Sequence, residues 1–136
     1  MFNRQIGNKF EEEFAKKLYD HGHWVHRITQ NASGQPADII AIKGYSVSLI
    51  DCKVCTKDYL DLSRIEENQV LAMTLFDERA KRPSVSWFAI KLKSGDIYMF
   101  TWLMIQMTLE AGKTRLPAND IRDYGMPLSE WLRLDR

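Results

Sequence analysis

At 136 residues the chain is long enough for one packed domain, and an apolar share of 45% excludes a disordered tail. A net charge of +1 excludes a global basic footprint, so any grip on nucleic acid must come from local clusters and a bound metal. Cys52 and Cys55 lie too close for a loop-closing disulfide and have no further pair for a zinc site, which predicts free thiols in a reducing, cytoplasmic setting.

The opening MFNRQIGNKFEEEF is charged from the start, and no apolar run approaches the roughly 20 residues a membrane helix needs, so neither secretion nor membrane insertion is expected. Ile6, Phe10, Phe14 and Leu18 recur at four-residue spacing among Lys and Glu, predicting an amphipathic helix from about residue 3 to Asp20, ended by His21-Gly22. Trp24, Val25 and Ile28 suit a first strand. A turn-forming loop over residues 31–36 then leads to the apolar run Ile39 to Ile42. After a tight turn at Lys43-Gly44-Tyr45, Val47 to Val54 forms a strand that is apolar in its first half and carries Asp51 and Lys53 in its second. Side chains two apart on a strand share a face, so these two point the same way.

Residues 55–63 read as a polar loop, and Ile65, Gln69, Ala72 and Phe76 mark a stripe of a second helix running to about Lys81, stopped by Pro83. Val85 to Leu92 and Asp96 to Thr101 form a hairpin turning at Lys93-Ser94-Gly95. Short helices follow at Trp102 to Ala111 and Pro127 to Leu134, with Trp131 an anchor into the core. This order gives one domain over residues 1–136, an α/β sandwich around a mixed central sheet.

Asp38 opens one strand of this plan and Asp51 and Lys53 close the next. Two carboxylates on adjacent strand ends suit magnesium, which is bound by one or two carboxylates with water and substrate phosphate, and the backbone carbonyl of Cys52 offers a third oxygen. A divalent metal so held can serve phosphodiester hydrolysis, and Lys53 can orient the attacking water or stabilise the phosphate. An Asp-Cys-Lys triplet is weak evidence by itself, but charges at the end of a buried strand are costly unless paired. Glu11 stands in a Glu run that reads equally as a solvated helix face, and Gln69 is a polar residue on an apolar stripe that needs a partner. His21, His23 and His26 follow neither a helical pair nor a clean strand face, against a metal role.

With these residues the chain resembles the PD-(D/E)xK nuclease superfamily, and within it the Holliday junction resolvases. Gly7 to Glu11 is similar to the first-helix motif, a glycine four residues before an acidic metal-site residue, which selects Glu11. Pro36-Ala37-Asp38 resembles the P-D half and Asp51-Cys52-Lys53 the (D/E)xK half. Residues 59–69, ending at Gln69, and residues 112–117 resemble the bacterial RecU type. Ser33-Gly34 is closer to the archaeal pattern, whose loop serine lies near the active site. The stretch from Glu11 to Asp38 is too short for the stalk of the RecU type, and no arginine-rich N-terminal arm precedes it.

The resemblance implies a restriction-endonuclease-like sandwich and a magnesium- or manganese-dependent endodeoxyribonuclease with Glu11, Asp38, Asp51, Lys53 and Gln69 as site residues. It also implies a homodimer that nicks opposing strands of a four-way DNA junction and leaves 5′-phosphate ends. Arg4, Lys9, Ser33, Lys57 and Arg64 would line the DNA groove. Two alternatives stay open: a nuclease of the same superfamily acting on linear, flap or foreign DNA, and an inactive DNA-binding module of the same fold.

Overall fold

The computed structural model describes residues 2–28, 35–134 and 136, with side chains from residue 5 onward. The long first helix is α1 (Phe2–Asp20), in which Phe10, Phe14 and Leu18 are buried while the intervening Lys and Glu face outward. Gly22 ends it at φ +89°, a left-handed conformation that a side chain would oppose. The strands β1 (Trp24–Arg27), β2 (Ile39–Lys43) and β3 (Ser46–Val54) follow as an antiparallel meander. The β2–β3 turn needs Gly44, at φ +59°, where a Cβ would also strike the Arg136 carbonyl.

The stretch expected to be a polar loop contains structure. Tyr59–Asp61 forms a short strand, β4, followed by a 3-10 turn at Leu62–Arg64. Asp61 accepts from the Ser63 N–H at 3.0 Å and from its hydroxyl at 2.7 Å, which holds the turn. Then come α2 (Glu67–Arg79), β5 (Val85–Lys91), β6 (Ile97–Thr101) and α3 (Trp102–Glu110), close to the expected bounds. Four short elements close the chain: β7 (Arg115–Pro117), α4 (Ala118–Tyr124), β8 (Met126–Pro127) and α5 (Leu128–Leu132).

The main sheet runs β1-β2-β3-β5-β6-β8, and β4 pairs with β7 as a separate ribbon. Only the β3–β5 contact of the main sheet is parallel, so the sheet is mixed, as expected. Phe10, Phe14 and Leu18 of α1 and Leu128, Trp131 and Leu132 of α5 bury one face with Ile39, Ile50 and Met99. Met73 of α2, Trp102 and Ile105 of α3 and Ile121 of α4 bury the other, with Leu49, Phe88 and Ile90. The alternation along β3 then decides where its charges go. Ile50 faces α1, so Leu49, Asp51 and Lys53 face α2.

Among the described residues no helix is long and apolar enough to cross a membrane, and Cys52 and Cys55 are free thiols.

Candidate active site

Asp38 sits just ahead of β2 and is locked by its backbone on both sides. The Ile28 N–H donates to its carbonyl at 2.8 Å, and its own N–H donates to the Ile50 carbonyl at 3.0 Å. Its side chain is equally fixed: Oδ1 accepts from Gln35 Nε2 at 2.7 Å and Oδ2 from the Cys52 N–H at 2.8 Å. Asp38 thus caps the place where the β2–β3 ladder ends. Alternate residues of a strand aim their amide and carbonyl to the same side, so the Cys52 carbonyl also points toward Asp38, beyond the last paired residue of β2.

Asp51 is 1% exposed. Its Oδ1 accepts from Gln69 Nε2 at 2.7 Å. Its Oδ2 lies 2.8 Å from Lys53 Nζ, yet receives no hydrogen bond of good geometry, so this buried oxygen has charge contact and spare lone pairs. Burial raises the Asp51 pKa to about 7, against the lowering by Lys53, and the Asp38 charge pushes the same way as burial.

Lys53 is 8% exposed. Its ammonium also donates to the Arg64 carbonyl at 3.3 Å and to Gln69 Oε1 at 3.4 Å. Gln69, third residue of α2, has a further bond from the Glu66 N–H to Oε1 at 3.2 Å. The partner that a polar residue on this stripe requires is therefore Asp51, with Lys53 beside it.

Glu11 approaches from α1 but faces a different partner. Its Oε1 accepts from Arg27 Nε at 3.1 Å. Burial and the Asp38 charge raise its pKa, with Arg27 acting the other way. No three metal-ligating side chains gather into one cluster among the described residues, so Glu11 does not join Asp38 and Asp51 as a preassembled third ligand.

The cations predicted for DNA fall at several places. Lys9 is exposed on α1, Lys57 lies 5.9 Å from the Tyr59 ring centroid, and Arg64 donates through Nη1 to the Val54 carbonyl at 2.7 Å. The side chain of Arg4 and all of Ser33 lie outside the described residues. Arg27 and Gln35 were not singled out by the sequence. Each acts on a carboxylate through a contact that no local periodicity signals.

The carboxylates of Asp38 and Asp51, the latter with a buried Oδ2 that receives no hydrogen bond, and the Cys52 carbonyl form an oxygen set that fits a hard, oxygen-loving divalent cation. Lys53 is a donor and stays outside that set. The whole group lies at one end of the sheet, on the α2 side.

A family model described as archaeal Holliday junction resolvase (Hjc) matches residues 2–134. The fold matches the 1.6 Å structure of Archaeoglobus fulgidus Hjc, a Holliday junction resolvase from an archaeal hyperthermophile, with a TM-score of 0.70. The two are 20% identical, and the match covers 93% of this chain and 99% of that one. The sandwich is thus of the restriction-endonuclease-like kind that the sequence predicts. No curated protein sequence matches the chain.

Proposed function

This chain belongs to the archaeal Holliday junction resolvase family and is a junction-resolving nuclease, and we propose that Asp38, Asp51 and Lys53 perform its phosphodiester hydrolysis with Gln69 holding them in place. The observation that carries the assignment is that Asp38, bonded to the Cys52 N–H, and Asp51, whose buried Oδ2 lies 2.8 Å from the buried Lys53 ammonium, stand at the ends of neighbouring strands.

In this reading Asp38, Asp51 and the Cys52 carbonyl would hold magnesium or manganese, which when bound would neutralise phosphate charge and lower the pKa of water. Lys53 presents its ammonium to a non-bridging phosphate oxygen or to the attacking water, where growing negative charge strengthens the contact. Gln69 fixes the rotamer of Asp51 and supports Lys53, so it is a positioning residue. Glu11, held by Arg27 and near enough for the Asp38 charge to join burial in raising its pKa, is assigned to a water at the site once that ion pair opens. Water oxygen bonds to phosphorus, the P–O3′ bond breaks, and a 5′-phosphate and a 3′-hydroxyl result. Lys9, Lys57 and Arg64, with Arg4 and Ser33, are assigned to the DNA backbone.

Resolution needs two cuts and one chain has one such group, so we assign the active form to a homodimer. Its interface is the outer face of α2 and α3, where Leu71, Leu75, Leu103 and Met107 are each at least half exposed. A groove of about 700 Å³ between these helices, lined by Thr74, Asp77, Leu103 and Gln106, gives that face relief.

Matched four-way junction, flap, linear duplex and single-stranded DNA, each with magnesium, manganese or chelator, test the assignment beside an Asp51→Asn control. Paired symmetrical nicks in the junction, abolished by chelator and by Asp51→Asn while junction binding persists, are expected. Normal cutting by Asp51→Asn would refute the site.

A further inference from the structure

The β4–β7 ribbon has one face in the core and one in solvent. Leu60 and Leu116 are buried, so their strand neighbours Tyr59, Asp61, Arg115 and Pro117 face outward. Arg115 lies diagonally across from Tyr59 and stacks on it, with Cζ 4.2 Å from the ring centroid, while Lys57 approaches the same ring. The carboxylate directly opposite Arg115 is Asp61, whose Oδ1 accepts both bonds from Ser63. Those bonds, then the Arg115 and Arg64 charges, lower its pKa, although neither cation is within ion-pair distance of it. Asp58 is met by Lys93 at 3.8 Å. Among the described residues, Lys57, Arg64 and Arg115 have no carboxylate within ion-pair distance.

This ribbon is joined directly to the reacting end of the sheet. The 3-10 turn that follows β4 ends at Arg64, whose carbonyl receives the Lys53 ammonium and whose guanidinium grips the end of β3. Arg115, on a strand pair whose Leu60 and Leu116 are buried, is thereby held at a set distance from Lys53, and no carboxylate among the described residues closes an ion pair on it. An arginine held flat on an aromatic ring keeps its outward N–H groups free to take a phosphate by two parallel bonds.

We propose that the outer face of the β4–β7 ribbon is a phosphate-binding arm, in which Arg115, seated on Tyr59, and Lys57 grip the DNA backbone flanking the phosphodiester that reaches Asp51 and Lys53. The proposal rests on the nuclease reading and extends the DNA path to residues outside its catalytic group. The contact is to backbone phosphate, so it adds affinity and register without reading sequence.

The test is binding of an immobile four-way junction to the full chain in chelator, followed by fluorescence anisotropy over a salt series. Arg115→Ala should weaken binding about tenfold near physiological salt and lower the slope of log K against log salt by about one, the signature of one lost phosphate contact. Arg115→Lys should restore the slope, because charge rather than shape sets it. Tyr59→Leu should weaken affinity with most of the slope kept, since it loosens the guanidinium without removing its charge. Lys16→Ala, which removes an equal charge from the Lys16–Asp20 pair on α1, should leave the slope at the wild-type value. An Arg115→Ala protein with wild-type affinity and slope would overturn the arm alone. Wild-type protein with no salt-dependent junction affinity would overturn the nuclease reading and the arm together.

Discussion

Lys53 Nζ and Asp51 Oδ2 stand 2.8 Å apart, two residues along one strand, and both side chains are buried. Strand alternation puts them on the same face, and α2 closes over them. Removing the cation leaves a buried carboxylate with no counter-charge. Lys53→Ala should therefore slow single-turnover cleavage by about 10²- to 10³-fold while binding of the metal persists. It should also destabilise the metal-free protein by about 3 kcal/mol at pH 8. Asp51 is an acid whose folded pKa is raised, so it favours the fold when protonated and loses that contribution as pH rises through about 7. The penalty in Lys53→Ala should accordingly shrink toward pH 5, which urea unfolding at the two pH values measures.

Gln69 is the partner by which α2 reaches Asp51. Gln69→Ala removes the 2.7 Å bond to Oδ1 and should cost about 1–2 kcal/mol of stability. Its larger effect should be on kcat, since a freed Asp51 can turn away from Asp38. A variant with normal kcat and lowered junction affinity would show that Gln69 serves DNA instead.

His23 provides a pH test on the opposite face of the sheet from Asp51 and Lys53. It is buried against Trp131, with ring centroids 5.4 Å apart, and its Nδ1 contacts the Leu18 carbonyl at 3.3 Å while Nε2 has no partner. Burial, then the Arg136 charge, lowers its pKa to about 4. The unfolded imidazole takes its proton near 6.5 and the folded one resists until about 4, so stability falls as pH drops across that window. The loss approaches about 3 kcal/mol at its lower end. His23→Phe should flatten the dependence in denaturant titrations at pH 7 and pH 4.5.

The exposed leucines of α2 and α3 predict the oligomeric state. Leu71→Glu with Met107→Glu places four like charges at a two-fold contact, and light scattering should report a monomer where the wild type is a dimer. Junctions should then receive single, uncoupled nicks. A double variant that remains dimeric moves the interface elsewhere.

Much of this arrangement was legible because it depends on short-period patterns. The four-residue spacing of Phe10, Phe14 and Leu18 marks α1, and the period of two makes Asp51 and Lys53 neighbours. The stripe containing Gln69 pointed to a buried amide that needed a partner. Strands β4, β7 and β8 were not legible, because two or three residues hold too little alternation to stand out, and their pairing is set by partners distant in sequence. The same holds for Arg27, whose bond to Glu11 joins β1 to α1. Glu11 was selected by resemblance alone, and the structure gives it to Arg27, while burial and the Asp38 charge still raise its pKa.

Gln69 Oε1 accepts from the Glu66 N–H at the start of α2, while its amide nitrogen holds Asp51. One side chain thus finishes a helix end and sets a carboxylate, so fraying of the first turn and loosening of the site are a single event. Amide hydrogen exchange at the start of α2 then reads the opening equilibrium of the Asp51–Gln69 pair, without substrate, and any ligand that fixes Asp51 should slow it.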